Sequence, residues 1–123
     1  MADSVLRTKS KEFAKEIVFL CRKLKQNGVE SALVNQLLRC GTSVGANIHE
    51  AQYAQGTKDF ISKLEIALKE CNESEYWIDL LYETSSISKT EFDNFRNLCI
   101  ELRRMLVASV TTLKGKTKGD MER

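Results

Sequence analysis

Apolar residues recur at alternating steps of three and four along four segments of the chain, and this spacing constrains the fold more than any other feature. The segments run from about residue 4 to 26, 31 to 54, 57 to 83 and 88 to 113. The sequence contains no proline, the strongest helix breaker, so none of them is interrupted in that way. Four amphipathic helices of similar length with short connections favour an all-α fold, an antiparallel up-down-up-down four-helix bundle over residues 1–113.

Local signals at the ends of the segments support these boundaries. Asn27-Gly28 ends the first segment, since glycine is the usual residue at the left-handed position that follows a helix. The fourth segment opens with SKTE, in which Ser88 and Glu91 have the spacing of a capping box. The chain finishes with KGKTKGDMER, which is almost entirely polar, so we predict a disordered tail over residues 114–123.

Charge and hydropathy each bear on which partners the chain could have. Nineteen lysines and arginines stand against 17 acidic residues, and a net charge of +2 does not by itself indicate nucleic-acid binding. No run approaches the roughly 20 apolar residues of a membrane span, and the N-terminal MADSVLRTKSKEF has no apolar signal core. We therefore expect a cytoplasmic protein with no membrane partner.

The four cysteines form no CxxC pair, and each lies on the apolar stripe of a different predicted helix. A tetrahedral metal site in the core requires all four thiols at one height. Cys40, Cys71 and Cys99 fall near mid-height of antiparallel helices, but Cys21 falls close to one end. We therefore expect buried free thiols in a reducing compartment rather than a metal site.

Residues 41–50, GTSVGANIHE, place two glycines inside the second predicted helix, where each costs roughly 1 kcal/mol relative to alanine. A phosphate-binding loop is excluded because no Gly-Lys-Ser/Thr follows and no strand precedes. A membrane GxxxG motif is excluded because Arg39 and Glu50 flank the glycines. Gly41 and Gly45 lie on the apolar stripe, so we predict a continuous helix that another helix crosses closely there.

A polar row runs beside that stripe and requires partners, since an unpaired buried polar group costs about 1–3 kcal/mol. One interpretation is a structural network or interface between the second and third helices. The other is a carboxylate metal site, but bundle di-iron sites use Glu-x-x-His on two helices and the lone His49 has no such spacing. No nucleophile stands beside an activating base, so we expect no catalytic residue, no cofactor and no metal. The crossing and polar motif comprises Arg39, Gly41, Ser43, Gly45, Asn47, Glu50, Lys63, Glu70 and Glu73.

The third predicted helix carries more apolar surface than one bundle face needs. Beside its core stripe lies a second row that contains Ile66, Trp77 and Leu80. Apolar surface of this kind is typical of a protein–protein contact, so we predict that this row forms a homo-oligomer interface. The alternative is a wide stripe that packs against both neighbouring helices.

Basic residues outnumber acidic ones in the first helix, and more of them lie in the fourth. These two helices are neighbours in an up-down bundle, so a merged basic patch that binds RNA or DNA is an alternative function. The other interpretation is a solvated helical face. Few aromatic residues lie between the basic ones, because Phe13 and Phe19 are assigned to the core and its boundary. Without aromatic rings on which bases can stack, we expect weak, salt-dependent binding without base preference. The candidate residues are Arg7, Lys11, Lys15, Arg22, Lys23, Arg103 and Arg104.

Two long runs, QLLRCGTSVGANIHEAQYA and KDFISKLEIALKECNESEYWIDLLYE, resemble the bacterial four-helix bundle proteins encoded by intervening sequences within 23S ribosomal RNA genes. One departure is Gly56, where relatives usually have a serine cap. The resemblance implies a ring-like homo-oligomer, a pentamer, and it implies no settled biochemical activity. It also implies a distant relation to the strongly basic accessory proteins of diversity-generating retroelements, which bind nucleic acid and a reverse transcriptase.

Overall fold

A computed structural model describes the backbone of residues 2–122 and the side chains of residues 5–116. Helix α1 spans Ala2–Gln26, α2 spans Ser31–Ala51, α3 spans Thr57–Glu83 and α4 spans Lys89–Glu122. Each helix contacts the next one along the chain, and α4 closes the bundle on α1 along a less extensive seam. The predicted all-α, antiparallel up-down-up-down bundle is confirmed. Within the described residues, no helix is long and apolar enough to cross a bilayer.

The core consists of one buried row from each helix, at the spacing that the sequence predicts. At the start of the α3 row, Phe60 is the residue that alternating steps of four and three place in the core, but Ile61 is buried instead and Phe60 packs at the edge. Both residues lie about one turn before Leu64, so periodicity alone does not distinguish them. Buried side chains of the four rows include Phe13, Ile17, Leu37, Ile48, Leu64, Ile78, Leu102 and Leu106.

The helix ends follow the local signals, with one shift. Gly28 has φ of +78°, the left-handed conformation predicted for it. In the capping box, the Ser88 amide donates to Glu91 Oε1 at 2.9 Å and the Glu91 amide donates to Ser88 Oγ at 3.1 Å. Helix α2 ends at Ala51, three residues before its predicted end, because the chain tightens there into successive i to i+3 turns.

Helix α4 extends beyond its predicted end at Leu113, through Glu122. No proline stops it, and each further residue of an existing helix adds one backbone hydrogen bond. Lys114 donates to Glu65 of α3 at 3.1 Å, so contact with the bundle reaches at least this residue. Side chains from residue 117 onward, and Arg123 as a whole, lie outside the described residues. The disorder of the tail therefore stays a prediction.

Helices α1 and α2 approach each other most closely at the two glycines. A Cβ atom at Gly41 would lie 2.8 Å from Cγ2 of the buried Ile17, too close for any real contact. At Gly45 the Cβ would lie 3.3 Å from the backbone oxygen of Ser10. Ser10 is itself small and buried, and its hydroxyl donates to the Arg7 carbonyl at 3.0 Å. The α1 backbone at Ser10 thus lies directly against α2.

We expect Gly45→Leu to lower the free energy of unfolding by on the order of 1–3 kcal/mol, because the larger side chain must displace the α1 backbone. Gly115→Ala is the matched control, since nothing lies within 4 Å of a Cβ at this helical glycine. There the better helix propensity should raise stability by up to about 1 kcal/mol. Equilibrium unfolding in denaturant measures both changes, and equal effects from the two substitutions would contradict the close approach.

Candidate binding surfaces

The predicted polar motif centres on an ion-pair cluster across the seam between α2 and α3. The Arg39 guanidinium donates to Glu70 Oε2 at 3.2 Å and to the Glu73 carboxylate. The Trp77 indole N–H donates to Glu73 Oε2 at 3.0 Å, the oxygen that also accepts from Arg39. Because Glu73 and Trp77 are one turn apart on α3, they share a helix face and fix each other's orientation. We call these four residues the Arg39–Trp77 cluster.

Electrostatics in this cluster keep Glu73 ionised. The hydrogen bond from Trp77, followed by the hydrogen bond from Arg39, holds the pKa of the Glu73 carboxyl below its ordinary range. The side chain of Glu73 remains 33% exposed and that of Arg39 50% exposed, so water screens their attraction. Glu73 is therefore a fixed anion that orients Arg39 and Trp77.

The other members of the polar motif do not join this cluster. Ser43 Oγ donates to the Arg39 carbonyl at 2.7 Å, and Asn47 Nδ2 donates to the Ser43 carbonyl at 2.8 Å, so both are satisfied within α2. Glu50 forms a separate ion pair with Lys63 at 3.2 Å, near the α2–α3 connection. The structure thus brings together one arginine and two acids, and it separates Glu50 from them.

The predicted interface row is only partly exposed. Trp77 packs against the core, and Leu80 is half-buried, so part of the row serves the bundle itself. Ile66 remains 39% exposed. Tyr76 is 60% exposed, and its ring meets that of Trp77 edge-on at a centroid distance of 5.0 Å. An aliphatic and an aromatic surface therefore flank the Arg39–Trp77 cluster on α3.

The basic residues do not merge into one patch where α1 meets α4. Lys9 forms an ion pair with Glu101 of α4, and Lys23 donates to Glu91 at 3.0 Å. Arg103 turns away from α1 and donates to Glu75 of α3 at 2.8 Å. The prediction of a continuous α1–α4 patch is wrong, because carboxylates on the neighbouring helices neutralise the charges at this seam. Arg104 stays exposed.

Four other basic residues of α1 line a groove on the other side of this helix, against α2. The groove has a volume of about 1070 Å³ and opens to solvent. Phe19 lies in its wall and is 57% exposed, whereas the sequence assigned it to the core boundary. A signal was available, because Phe19 follows a row of basic residues at steps of four. We call this feature the α1–α2 groove, and its basic residues are Arg7, Lys11, Lys15 and Arg22.

The four cysteines are free, buried thiols. Burial raises the pKa of Cys21 and of Cys40 to about 11, so both are protonated near neutral pH. Cys71 Sγ donates to the Cys99 carbonyl at 3.4 Å inside the core. Within the described part of the chain, no three His, Cys, Asp or Glu residues are arranged to hold a metal ion.

Fold and side chains together define a small antiparallel helical bundle with a fixed ion-pair cluster on one seam and a basic groove on another. A model of the 23S rRNA-intervening sequence protein family matches residues 2–108, so the chain belongs to this family, as its sequence motifs indicated. A solved structure from Bacteroides thetaiotaomicron VPI-5482, of a protein with unknown function from the S23 ribosomal protein family, is similar over 90% of this chain and 99% of its own. The two share 44% identity, with a TM-score of 0.88. None of the curated proteins matches the chain.

We expect the stability of the protein to fall as the pH drops through the acidic range, in part through Glu73. Its folded-state pKa lies below the ordinary glutamate value of 4.5. The ionised carboxylate therefore stabilises the fold above the unfolded-state pKa, and this contribution is lost as the pH falls through the folded-state pKa. Glu73→Gln should flatten this part of the profile, whereas Glu16→Gln on exposed α1 should not. Denaturation midpoints between about pH 3 and 7 measure the effect, and identical profiles for parent and Glu73→Gln would refute it.

Proposed function

We propose that this protein is a non-enzymatic bundle that self-associates and acts as a scaffold for binding. The observation that carries the proposal is the exposed apolar surface of Ile66 and Tyr76 beside the Arg39–Trp77 cluster on α3. The number of copies that we expect is five, as the family resemblance implies. A cytoplasmic location belongs to the same proposal, and four free thiols are consistent with a reducing compartment.

The chemistry of the cluster suits a protein–protein contact. Tryptophan, tyrosine and arginine are the residue types that most often dominate binding energy at interfaces. Here the internal hydrogen bonds hold the Trp77 and Arg39 side chains in place before any partner arrives. Preorganised side chains lose less conformational entropy on association, so each contact contributes more to affinity.

The buried thiols and the Glu73 carboxylate favour binding rather than catalysis. Burial raises the pKa of Cys21 and Cys40, which leaves them as protonated, unreactive thiols at neutral pH. Glu73, the carboxylate whose pKa is lowered within the cluster, already accepts hydrogen bonds from Arg39 and Trp77. A general base needs an accessible lone pair and a partner to activate.

We expect Ile66→Lys to weaken self-association by roughly tenfold or more, because a lysine ammonium resists burial at an apolar contact. Val107→Lys is the matched control, since Val107 is 45% exposed on α4 and Ile66 is 39% exposed on α3. Light scattering and sedimentation over a range of concentrations measure the mass of each variant. A parent protein that stays monomeric at micromolar concentration, or an equal effect of both substitutions, would refute the proposed α3 interface.

Nucleic-acid binding is a second candidate function, and the basic residues of the α1–α2 groove favour it. Arg7, Lys11 and Arg22 make no ion pair with any described residue, while Lys15 pairs with Glu12 on its own helix at 3.2 Å. The first three charges are therefore available to phosphate groups, and the exposed pair of Lys15 with Glu12 is weak enough for a phosphate to displace the carboxylate. The distant relation to retroelement accessory proteins that the sequence resemblance implies points in the same direction.

Binding of this kind should depend strongly on salt, because each neutralised phosphate releases a counterion. With about four phosphate contacts to a single strand, affinity should fall roughly 50-fold between 50 and 200 mM salt. Fluorescence anisotropy with unrelated RNA and DNA oligomers measures this dependence. Tight binding to one sequence with no dependence on salt would contradict an electrostatic mode of binding. Absence of binding at low salt would refute the nucleic-acid function and leave the scaffold as the only proposed function.

A further inference from the structure

Phe19 places a large aromatic side chain in the wall of the α1–α2 groove, and two cations flank it. Lys15 lies four residues before it and Arg22 three residues after it, so all three share one face of α1. With 57% of its surface exposed, the phenyl ring contributes little to the core. An exposed aromatic ring between basic side chains is the arrangement by which proteins hold the bases and phosphates of one strand together.

The floor of the groove is open because α2 carries small residues there. Gly45 lies against the α1 backbone at Ser10, with 3.3 Å from its would-be Cβ to the Ser10 oxygen, and the next residue is Ala46. No long side chain therefore rises between the two helices at this point. The basic row from Arg7 to Arg22 covers fifteen steps of the helix, about 22 Å, which matches roughly six or seven nucleotides of a stacked strand.

We propose that the α1–α2 groove is a binding site for single-stranded nucleic acid, in which the four basic residues contact phosphates and one base stacks on Phe19. This inference rests on the nucleic-acid function proposed above and adds a strand preference to it. A duplex keeps the faces of its bases stacked inside, so only a single strand can offer a base to the exposed ring. Stacking tolerates every base, so the site selects single strands without selecting a sequence.

The closing experiment compares a single-stranded oligonucleotide of about 20 bases with the corresponding duplex, by anisotropy at about 50 mM salt. Phe19→Ala should weaken binding of the single strand by roughly 5- to 150-fold, the range that one lost stacking contact implies. It should change duplex binding by far less, and Phe19→Trp should restore single-strand affinity. Val107→Ala, an exposed apolar residue on α4, is the control that should change neither.

A second measurement tests the phosphate contacts. Arg22→Gln should reduce the slope of log affinity against log salt by about 0.7 for a single strand, the value for one lost contact. Arg96→Gln is its control, because Arg96 is exposed on α4, outside the groove, and makes no ion pair with a described residue. An equal change of slope in both variants would overturn the assignment of the phosphates to the groove.

The possible outcomes distinguish the stacking site from the scaffold function and the nucleic-acid function proposed above. Equal affinity of Phe19→Ala and parent for the single strand overturns the stacking site and leaves electrostatic nucleic-acid binding intact. No binding of either oligonucleotide overturns the site and the second candidate function together. A smaller mass of Phe19→Ala in light scattering, with unchanged nucleic-acid affinity, shows instead that a second copy of the chain covers the groove. Circular dichroism confirms that each variant is folded.

Discussion

The close approach of α1 to α2 at Gly45 and Ser10 determines much of the remaining structure. Two glycines in a helix interior cost roughly 2 kcal/mol of helix propensity, and the packing of α1 offsets this cost. Ile17 occupies the space that a side chain at Gly41 would take, which locks the relative position of the two helices. Because α1 and α2 meet through small residues, their outer surface is concave. The same residues therefore provide a tight core contact and an open groove.

The seam between α2 and α3 is held in a different way, through polar groups at the rim of the core. Arg39 binds two acids of α3, and Glu50 with Lys63 forms a second ion pair toward the end of the seam. Exposed pairs like these contribute little to stability, so the apolar core remains the main source of the fold. Their effect is to fix orientation: the exposed Arg39 and the half-buried Trp77 are held in one arrangement instead of many.

Most of the fold was predictable from the sequence because helix periodicity and local capping are short-range effects. Residues such as Phe13 and Leu64 could be assigned to the core from spacing alone, and the Ser88 capping box from four consecutive residues. Residues at the edge of a stripe were not predictable in the same way. Phe19 lies directly before the buried Leu20 and two residues after the buried Ile17, and only its alignment with the basic row of α1 indicates that it faces the groove.

The ion pairs of the candidate sites were predictable in part. The partners of Arg39 followed from the antiparallel register of α2 and α3, which aligns residue 39 with residues 70 and 73. The partner of Arg103 was not predictable from this register, because a long side chain on a corner of the bundle reaches either neighbouring helix. It turns to Glu75 of α3, and this choice removes it from the surface shared with α1. Charges near such corners are therefore poorly assigned by helical position alone.

Charge is distributed unevenly around the bundle, and this relates the two candidate functions to each other. Helix α1 has seven basic and three acidic residues, whereas α3 has three basic and seven acidic ones. The two helices occupy opposite corners and do not touch within the described residues, so their charges do not neutralise each other inside one subunit. If copies join through α3 surfaces alone, every groove stays open and a ring presents several of them to one strand, which raises avidity. If instead α3 of one copy lies on α1 of the next, opposite charges attract, the grooves are covered, and nucleic acid competes with assembly.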